Sequence, residues 1–78
     1  MSNSNIDACI RANLASYFCD LGETEPGALY DMVVKAVERP LLEEVMQRTG
    51  NNQSRAAQWL GLNRNTLRKK LIEHGLLE

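Results

Sequence analysis

The chain has 78 residues, enough for one small domain, with a net charge of −1, 44% hydrophobic residues and 5% aromatic residues. These values exclude a collagen-like, disulfide-stabilised or simply disordered chain. No apolar run approaches the roughly 20 residues of a membrane span, and the first residues lack the pattern of a signal peptide. Two cysteines and one histidine, with no CxxC or HxxxH spacing, favour neither a disulfide nor a metal site. We therefore expect a reducing cytoplasmic location, no membrane and no cofactor.

The charges are unevenly divided along the chain. Residues 1–50 carry four basic and eight acidic side chains, whereas residues 51–78 carry five basic and two acidic ones. A basic C-terminal end on an acidic body indicates contact with a polyanion at that end. Chance segregation in so short a chain explains the division equally well.

Every periodic segment has the period of a helix, so the sequence predicts an all-α protein without strands. The first apolar stripe begins at Ile6 and predicts a helix that ends before Gly22. Ser4 and Asp7 have the spacing of a capping box, which places the start of this helix at Ser4.

The second helix is predicted over about 28–48, after a connector in which Thr24 or Pro26 is suited to begin it. Pro40 lies inside this helix. The apolar residues before and after Pro40 differ in mean direction by more than a quarter turn, which favours one kinked helix with two packing partners. We expect the first half to pack on a partner subunit and the second half on the C-terminal end. The alternative is an ordinary helix break at Arg39.

Two short helices are predicted at about 53–60 and 64–74, after turn residues at 49–52. Gly61 suits the tight turn between them, and Asn63 is a favourable N-cap for the last helix. Gly75 occupies the position where a left-handed residue ends a helix, with Leu76 placed to fold back.

The run 53–71 has the pattern of a helix-turn-helix. Ala57 is small where two helices must cross closely, and Gly61 follows four residues later in the turn. The expected shared core consists of Leu60, Leu62, Leu67 and Leu71. Such a unit holds its second helix so that it can enter a DNA major groove.

The second helix of this unit has a basic polar side opposite its apolar side. The residues geometrically able to meet base edges are Arg64, Asn65, Thr66 and Lys69. Arg68 and Lys70 lie on the flanks, where the phosphates would be, and Asn63 at the helix N-terminus is placed for a phosphate too. A solvated basic helix without a ligand is the alternative.

A set of short motifs follows the chain in a specific order. They are Pro40-Leu41-Leu42, Asn52-Gln53, Arg55-Ala56-Ala57, Gly61, Asn63-Arg64, Thr66-Leu67-Arg68-Lys69-Lys70-Leu71 and Gly75, with Tyr17-Phe18 and Leu29-Tyr30 upstream. With these residues the chain resembles the factor for inversion stimulation (Fis) family of bacterial nucleoid-associated proteins over almost its whole length.

The resemblance implies a homodimer of four-helix protomers whose first two helices intertwine. We accordingly expect residues 1–49 to form the dimerisation helices and residues 50–78 the DNA-binding unit, within a single compact domain. The expected dimer core contains Ile10, Leu14, Leu29, Val33 and Val37. The implied function is weakly sequence-specific binding and bending of double-stranded DNA in nucleoid organisation, transcription and recombination, with RNA polymerase as a candidate partner.

The resemblance also assigns roles to individual residues. Asn52, Ser54 and Arg55 are implied to hold phosphate. The principal DNA surface is implied at Asn63, Arg64, Thr66, Arg68, Lys69 and Lys70, with Arg64 and Lys69 nearest the bases.

Several positions depart from the family pattern. Well-studied members carry an N-terminal hairpin that contacts recombinases and that this sequence lacks, so the resemblance leaves stimulation of recombinases open. Gly50 replaces an arginine that contacts flanking DNA in some members, and Ile72 and Glu73 replace two lysines, which predicts weaker non-specific binding. Trp59 and the two cysteines are interpreted as packing residues.

Two other functions fit parts of the sequence. One is the C-terminal DNA-binding domain of an enhancer-binding transcription activator, which shares this helix-turn-helix but belongs with an upstream ATPase. The other is a helical adaptor dimer whose basic end binds an acidic protein. An enzyme is not expected, because the sequence has no Ser/His/Asp set, paired carboxylates or phosphate loop.

Overall fold

The computed structural model describes residues 3–77, and the side chains from residue 5 onwards. Within these residues the chain forms four helices and no strand: α1 (Asn3–Leu21), α2 (Leu29–Arg48), α3 (Gln53–Leu60) and α4 (Arg64–Glu73). The predicted all-α fold is therefore confirmed. None of these helices combines the length and the hydropathy that crossing a bilayer requires.

The starts of α1 and α2 differ from the sequence-based prediction. The first helix already includes Asn3, so Ser4 lies within it and not at its N-cap. Asparagine and serine are tolerated in a helix, and no proline or glycine precedes them to stop it. The second helix begins at Leu29, within one residue of the predicted start, but neither Thr24 nor Pro26 begins it, because Ala28 adopts a left-handed conformation (φ 52°) that turns the chain at the N-cap.

Helix α2 continues through Pro40 without a break. The predicted alternative, a helix that ends at Arg39, is therefore wrong. A proline inside a helix removes one backbone hydrogen bond, and packing on either side of it has to hold the helix together. After Pro40 that packing is substantial, since Leu42 is 1% exposed and belongs to the core. Before Pro40, Val33 instead faces α1.

The core lies at the C-terminal end of the molecule, where α2, α3 and α4 meet. Its buried side chains are Leu42, Ala56, Ala57, Leu67 and Leu71, and Val45, Met46, Leu60, Leu76 and Leu77 pack around them. The two alanines leave room for α3 to approach its neighbours closely. Of the four predicted core leucines, Leu67 and Leu71 are fully buried, whereas Leu60 and Leu62 are half-buried.

Thr49 is the buried polar residue at the C-terminal end of α2. Its hydroxyl donates to the backbone oxygen of Val45 at 2.9 Å, and its backbone N–H donates to the same oxygen. Because a helix end leaves polar groups unpaired, this contact lets α2 end inside the core without an unsatisfied hydroxyl. The path of the chain from α2 into α3 is thereby fixed.

Candidate nucleic-acid interface

Two asparagine side chains begin the short helices. The Oδ1 of Asn52 accepts from the backbone N–H of Arg55 at 3.0 Å, and the Oδ1 of Asn63 accepts from that of Asn65 at 2.8 Å. Each bond satisfies one of the N–H groups that have no partner within their helix. The prediction of Asn63 as an N-cap is confirmed, and Asn52 has the same role in α3.

Glycines end the same two helices. Gly61 (φ 71°) and Gly75 (φ 71°) lie in the left-handed region, where other residues are strained. After Gly61 the N–H of Leu62 donates to a carbonyl of α3 at 2.9 Å. After Gly75 the N–H of Leu76 donates to the oxygen of Leu71 at 2.8 Å, and Leu76 packs on the core as predicted. Helix α4 ends at Glu73, one residue before the predicted end, with His74 as its C-cap.

The residues predicted to contact DNA lie on the surface, with one exception. Exposed are Asn52, Ser54, Arg55, Asn63, Arg64, Asn65, Thr66, Arg68 and Lys69, while Lys70 is half-buried. On α4, Leu67 and Leu71 hold the helix to the core, so Asn65 and Lys69 lie on the opposite side. The first three residues of α4 are not covered by any other part of the described chain. Such an arrangement leaves a basic helix free to meet a polyanion.

Lys70 turns toward α2. Its Nζ lies 2.8 Å from Oε2 of Glu38, and Nε2 of His74 lies 2.8 Å from Oε1 of the same carboxylate. The side chains of Lys70, Glu38 and His74 are 31%, 16% and 9% exposed, respectively. The guanidinium of Arg39 also donates to the backbone oxygen of His74. Together these contacts connect the middle of α2 to the C-terminal half of α4.

The charges of this contact stabilise one another. Hydrogen bonds from Lys70 and then from His74 hold the pKa of Glu38 below its ordinary value of 4.5. The hydrogen bond to Glu38 raises the pKa of Lys70 above its ordinary value of 10.5. Both groups are therefore charged at neutral pH. The ammonium of Lys70 has three N–H groups, so the ion pair leaves donors for a phosphate, and its predicted DNA contact stays a prediction.

Sequence reasoning missed Glu38, Arg39 and Thr49 as residues that position the site. Glu38 is separated from Lys70 by 32 residues and from His74 by 36. Helical spacing places only neighbours three or four apart on one face, so no local pattern indicates this pair. The sequence offered one signal for this contact, which was the acidic residue Glu38 shortly before the half of α2 that was expected to pack on the C-terminal end.

Within one chain neither Trp59 nor the two cysteines are buried, so their interpretation as packing residues is not confirmed. Cys9 and Cys19 are exposed on α1, and Trp59 is 52% exposed on α3. Trp59 is four residues after Arg55, and the guanidinium carbon of Arg55 lies over the indole ring, 5.5 Å from its centroid. The indole thus contacts a residue predicted to bind phosphate, because α3 places both on one flank.

Four of the five residues predicted to form the dimer core line an open groove between α1 and α2, and Leu29 is not among them. The groove has a volume of about 650 Å³, and Ile10, Leu14, Val33 and Val37 are among the apolar side chains that line it. Ile10, Leu14, Leu29 and Val33 are half-buried, and Val37 is 44% exposed. Within one chain, the apolar stripes of α1 and α2 therefore remain partly in contact with water.

Residues 33–74, which include the second half of α2 and all of α3 and α4, match the family model described as "Bacterial regulatory protein, Fis family". This match covers more than half of the chain. The chain belongs to the Fis family. The resemblance inferred from the short motifs is confirmed.

Curated members of the Fis family are similar to the chain over most of its length. A Fis-like DNA-binding protein of Ralstonia nicotianae is 58% identical over 99% of this chain and 100% of its own. A Fis-like DNA-binding protein of Neisseria meningitidis serogroup A is 63% identical over 94% and 92%. The DNA-binding protein Fis of Proteus mirabilis is 48% identical over 86% of this chain and 68% of its own.

Proposed function

We propose that the chain is a homodimer that binds and bends double-stranded DNA in the bacterial cytoplasm. It acts in the organisation of the nucleoid and in the regulation of transcription, with RNA polymerase as a candidate partner at promoters. The names of its relatives support the DNA-binding part of this proposal, since each includes DNA binding. The proposed role is one of binding and not of catalysis.

The observation that carries the proposal is the uncovered basic face of α4. Arg64 and Lys69 are exposed on a helix whose other face is anchored by two fully buried leucines. A helix held in this way can insert its N-terminal half into a major groove, where an arginine can donate two hydrogen bonds to guanine. In the proposal Arg64 and Lys69 meet the bases, with Asn65 and Thr66 beside them.

The phosphate contacts of the proposal surround this helix. Arg68 lies on one flank of α4 and Lys70 on the other, where its remaining donors can face a phosphate. Asn63 lies at the N-terminus of α4, and Asn52, Ser54 and Arg55 form a second group at the start of α3. Helix N-termini and arginines both favour anions, so two successive phosphates can be held by separate elements.

A second copy of the chain is the proposed occupant of the groove between α1 and α2. Large apolar side chains remain exposed on α2 in one chain, with Tyr30 84%, Val37 44% and Leu41 48% exposed. A chain of about this size buries only about 60% of its unfolded surface, so an uncovered apolar stripe is a substantial fraction of its stabilising area. Covering the stripe with the same stripe of a partner gives a two-fold symmetric interface.

Bending follows from two recognition helices on one dimer. Successive major grooves on one face of straight DNA are about 34 Å apart. In the proposed dimer the two α4 helices are closer together than this, so the duplex has to curve to reach both. Flexible steps at the centre of the site then lower the deformation energy.

Circular-permutation gel shifts test this function. One binding site is placed at different positions in fragments of equal length, and the complex is expected to migrate most slowly when the site is central. Equal mobility of all permuted complexes would remove bending from the proposal. Binding that an excess of an acidic protein abolishes would favour the adaptor function, whereas salt-sensitive binding that survives this competitor supports the DNA function.

A further inference from the structure

Trp59 is the sole tryptophan of the chain, and it lies on the surface. Trp59 is 52% exposed, whereas Ala56 and Ala57 on the same helix are buried. Single exposed apolar side chains are common on protein surfaces, so the exposure alone assigns no role to Trp59, and what lies against the ring decides whether it has one.

A charged side chain lies against the exposed ring of Trp59. The guanidinium of Arg55 lies over the ring, with its central carbon 5.5 Å from the centroid. A cation within about 6 Å of an indole face is attracted by the negative potential of that face. Because a guanidinium is planar, it can lie against a ring with one face while its N–H groups still point outward to another acceptor.

Arg55 is held at two points. Its backbone N–H donates to the side chain of Asn52, and its guanidinium contacts the ring of Trp59. A free arginine side chain loses considerable rotamer freedom when it binds a phosphate. The stack removes part of that freedom before the ligand arrives, so the loss on binding is smaller.

We propose that Trp59 is a positioning residue for DNA binding, which holds the guanidinium of Arg55 ready for a backbone phosphate. This inference rests on the proposed function, since it requires that Arg55 contacts DNA. Trp59 itself reads no base in this role. Its contribution is equal for all sequences, and it disappears when Arg55 is absent.

Replacing the ring tests the stack. Trp59→Leu keeps an apolar side chain but removes the aromatic face, and Trp59→Phe keeps a smaller aromatic face. We expect Trp59→Leu to weaken binding by about two- to five-fold per half-site, on specific and scrambled duplexes alike, and Trp59→Phe to restore most of the loss. Gln58→Ala is the control, because it truncates an exposed side chain of the same helix that has no place in the proposed DNA surface, and it should leave the affinity unchanged.

A double-mutant cycle separates positioning from a general effect on the fold. In the Arg55→Ala background, the further change Trp59→Leu should have no effect on the dissociation constant. Equal losses in both backgrounds would overturn the inference. Thermal unfolding of every variant should stay close to that of the wild type, and a Trp59→Leu variant that binds normally would also overturn it.

The same titrations test the positioning role of Trp59 separately from the proposed DNA binding on which it depends. If Arg55→Ala and Arg64→Ala both weaken binding while Trp59→Leu does not, the positioning role is wrong and DNA binding stands. If the wild type itself does not bind duplex DNA, both the proposed function and the positioning role of Trp59 are wrong. The emission of Trp59 gives a direct readout, since binding of DNA at Arg55 should change it in the wild type and much less in Arg55→Ala.

Discussion

The contact of Glu38 with Lys70 and His74 gives a quantitative prediction for Glu38→Gln. Glutamine has nearly the same shape, and its amide oxygen can still accept from Lys70, but its NH2 group cannot accept from the N–H of His74, so the negative charge and one hydrogen bond are lost. A hydrogen bond to a charged group contributes about 1.5–3 kcal/mol and a neutral one about 0.5–1.5 kcal/mol. Allowing for the 16% and 31% exposure of Glu38 and Lys70, we expect a loss of about 1–2 kcal/mol per protomer at neutral pH.

The pH dependence of this loss has a definite sign. The pKa of Glu38 is lowered in the folded chain, so its stabilisation is present above the ordinary value of 4.5 and is lost as the pH falls through the lowered pKa. The pKa of Lys70 is raised, so its stabilisation is present below 10.5 and is lost as the pH rises through the raised pKa. The difference between the wild type and Glu38→Gln should therefore be full at pH 7.5 and vanish once the pH has fallen below the lowered pKa of Glu38, where the carboxyl is as uncharged as the amide.

Urea unfolding at one fixed protein concentration measures this difference, because the stability of a dimer depends on concentration. Glu43→Gln is the matched control. Glu43 pairs with Arg39 at 3.0 Å, but both side chains are about half exposed, and such a pair contributes about 0.3–0.5 kcal/mol. Equal losses for the two variants, or a Glu38→Gln loss that persists at low pH, would refute the assigned contact.

Two further predictions concern the interface of the subunits and the DNA-binding helix. Val33→Asp places a carboxylate in the apolar groove between α1 and α2, where an unpaired charge costs several kcal/mol, so sedimentation should detect a monomeric or unfolded chain; a folded, DNA-binding monomer would contradict the proposed dimer. Arg64→Ala should lose about 1–3 kcal/mol of binding energy and the preference at one base pair, measured on specific and scrambled duplexes. Lys70→Ala should weaken binding to all sequences alike and lower the slope of log K against log salt by about one per half-site. If Lys70→Ala changed the sequence preference and Arg64→Ala did not, the proposed placement of α4 in the groove would be wrong.

The sequence predicted the helices α3 and α4 to within one residue because their ends are determined locally. Asn63, Gly61 and Gly75 each act on backbone groups within a few residues, so their identity is sufficient to place a helix end. The start of α2 had no such signal, since Ala28 adopts a left-handed conformation that alanine rarely favours. The bounds of α2 were still predicted to within one residue, about 28–48 against Leu29–Arg48, but the residue that begins the helix was not identified from the sequence.

The surroundings of the predicted DNA-binding residues were less predictable than their exposure. Helical spacing alone placed Leu67 and Leu71 in the core and Asn65 and Lys69 on the opposite side. The ion pair of Lys70 depends on how α2 crosses α4, which is a property of the tertiary structure. The chemistry of the site was therefore predictable from the sequence, but the contacts that orient it were not.

The continuity of α2 through Pro40 has a consequence for how this protein can change. Its 20 residues extend over about 30 Å, with the groove-facing Val33 and the core-facing Leu42 on one helix. In a dimer joined through the groove, α2 connects the interface to α4 and so determines the distance between the two α4 helices. Substitutions on the exposed face of α4 can alter which bases are preferred while the distance between the two α4 helices stays constant. A change within α2 itself would instead alter the spacing of half-sites that the dimer fits.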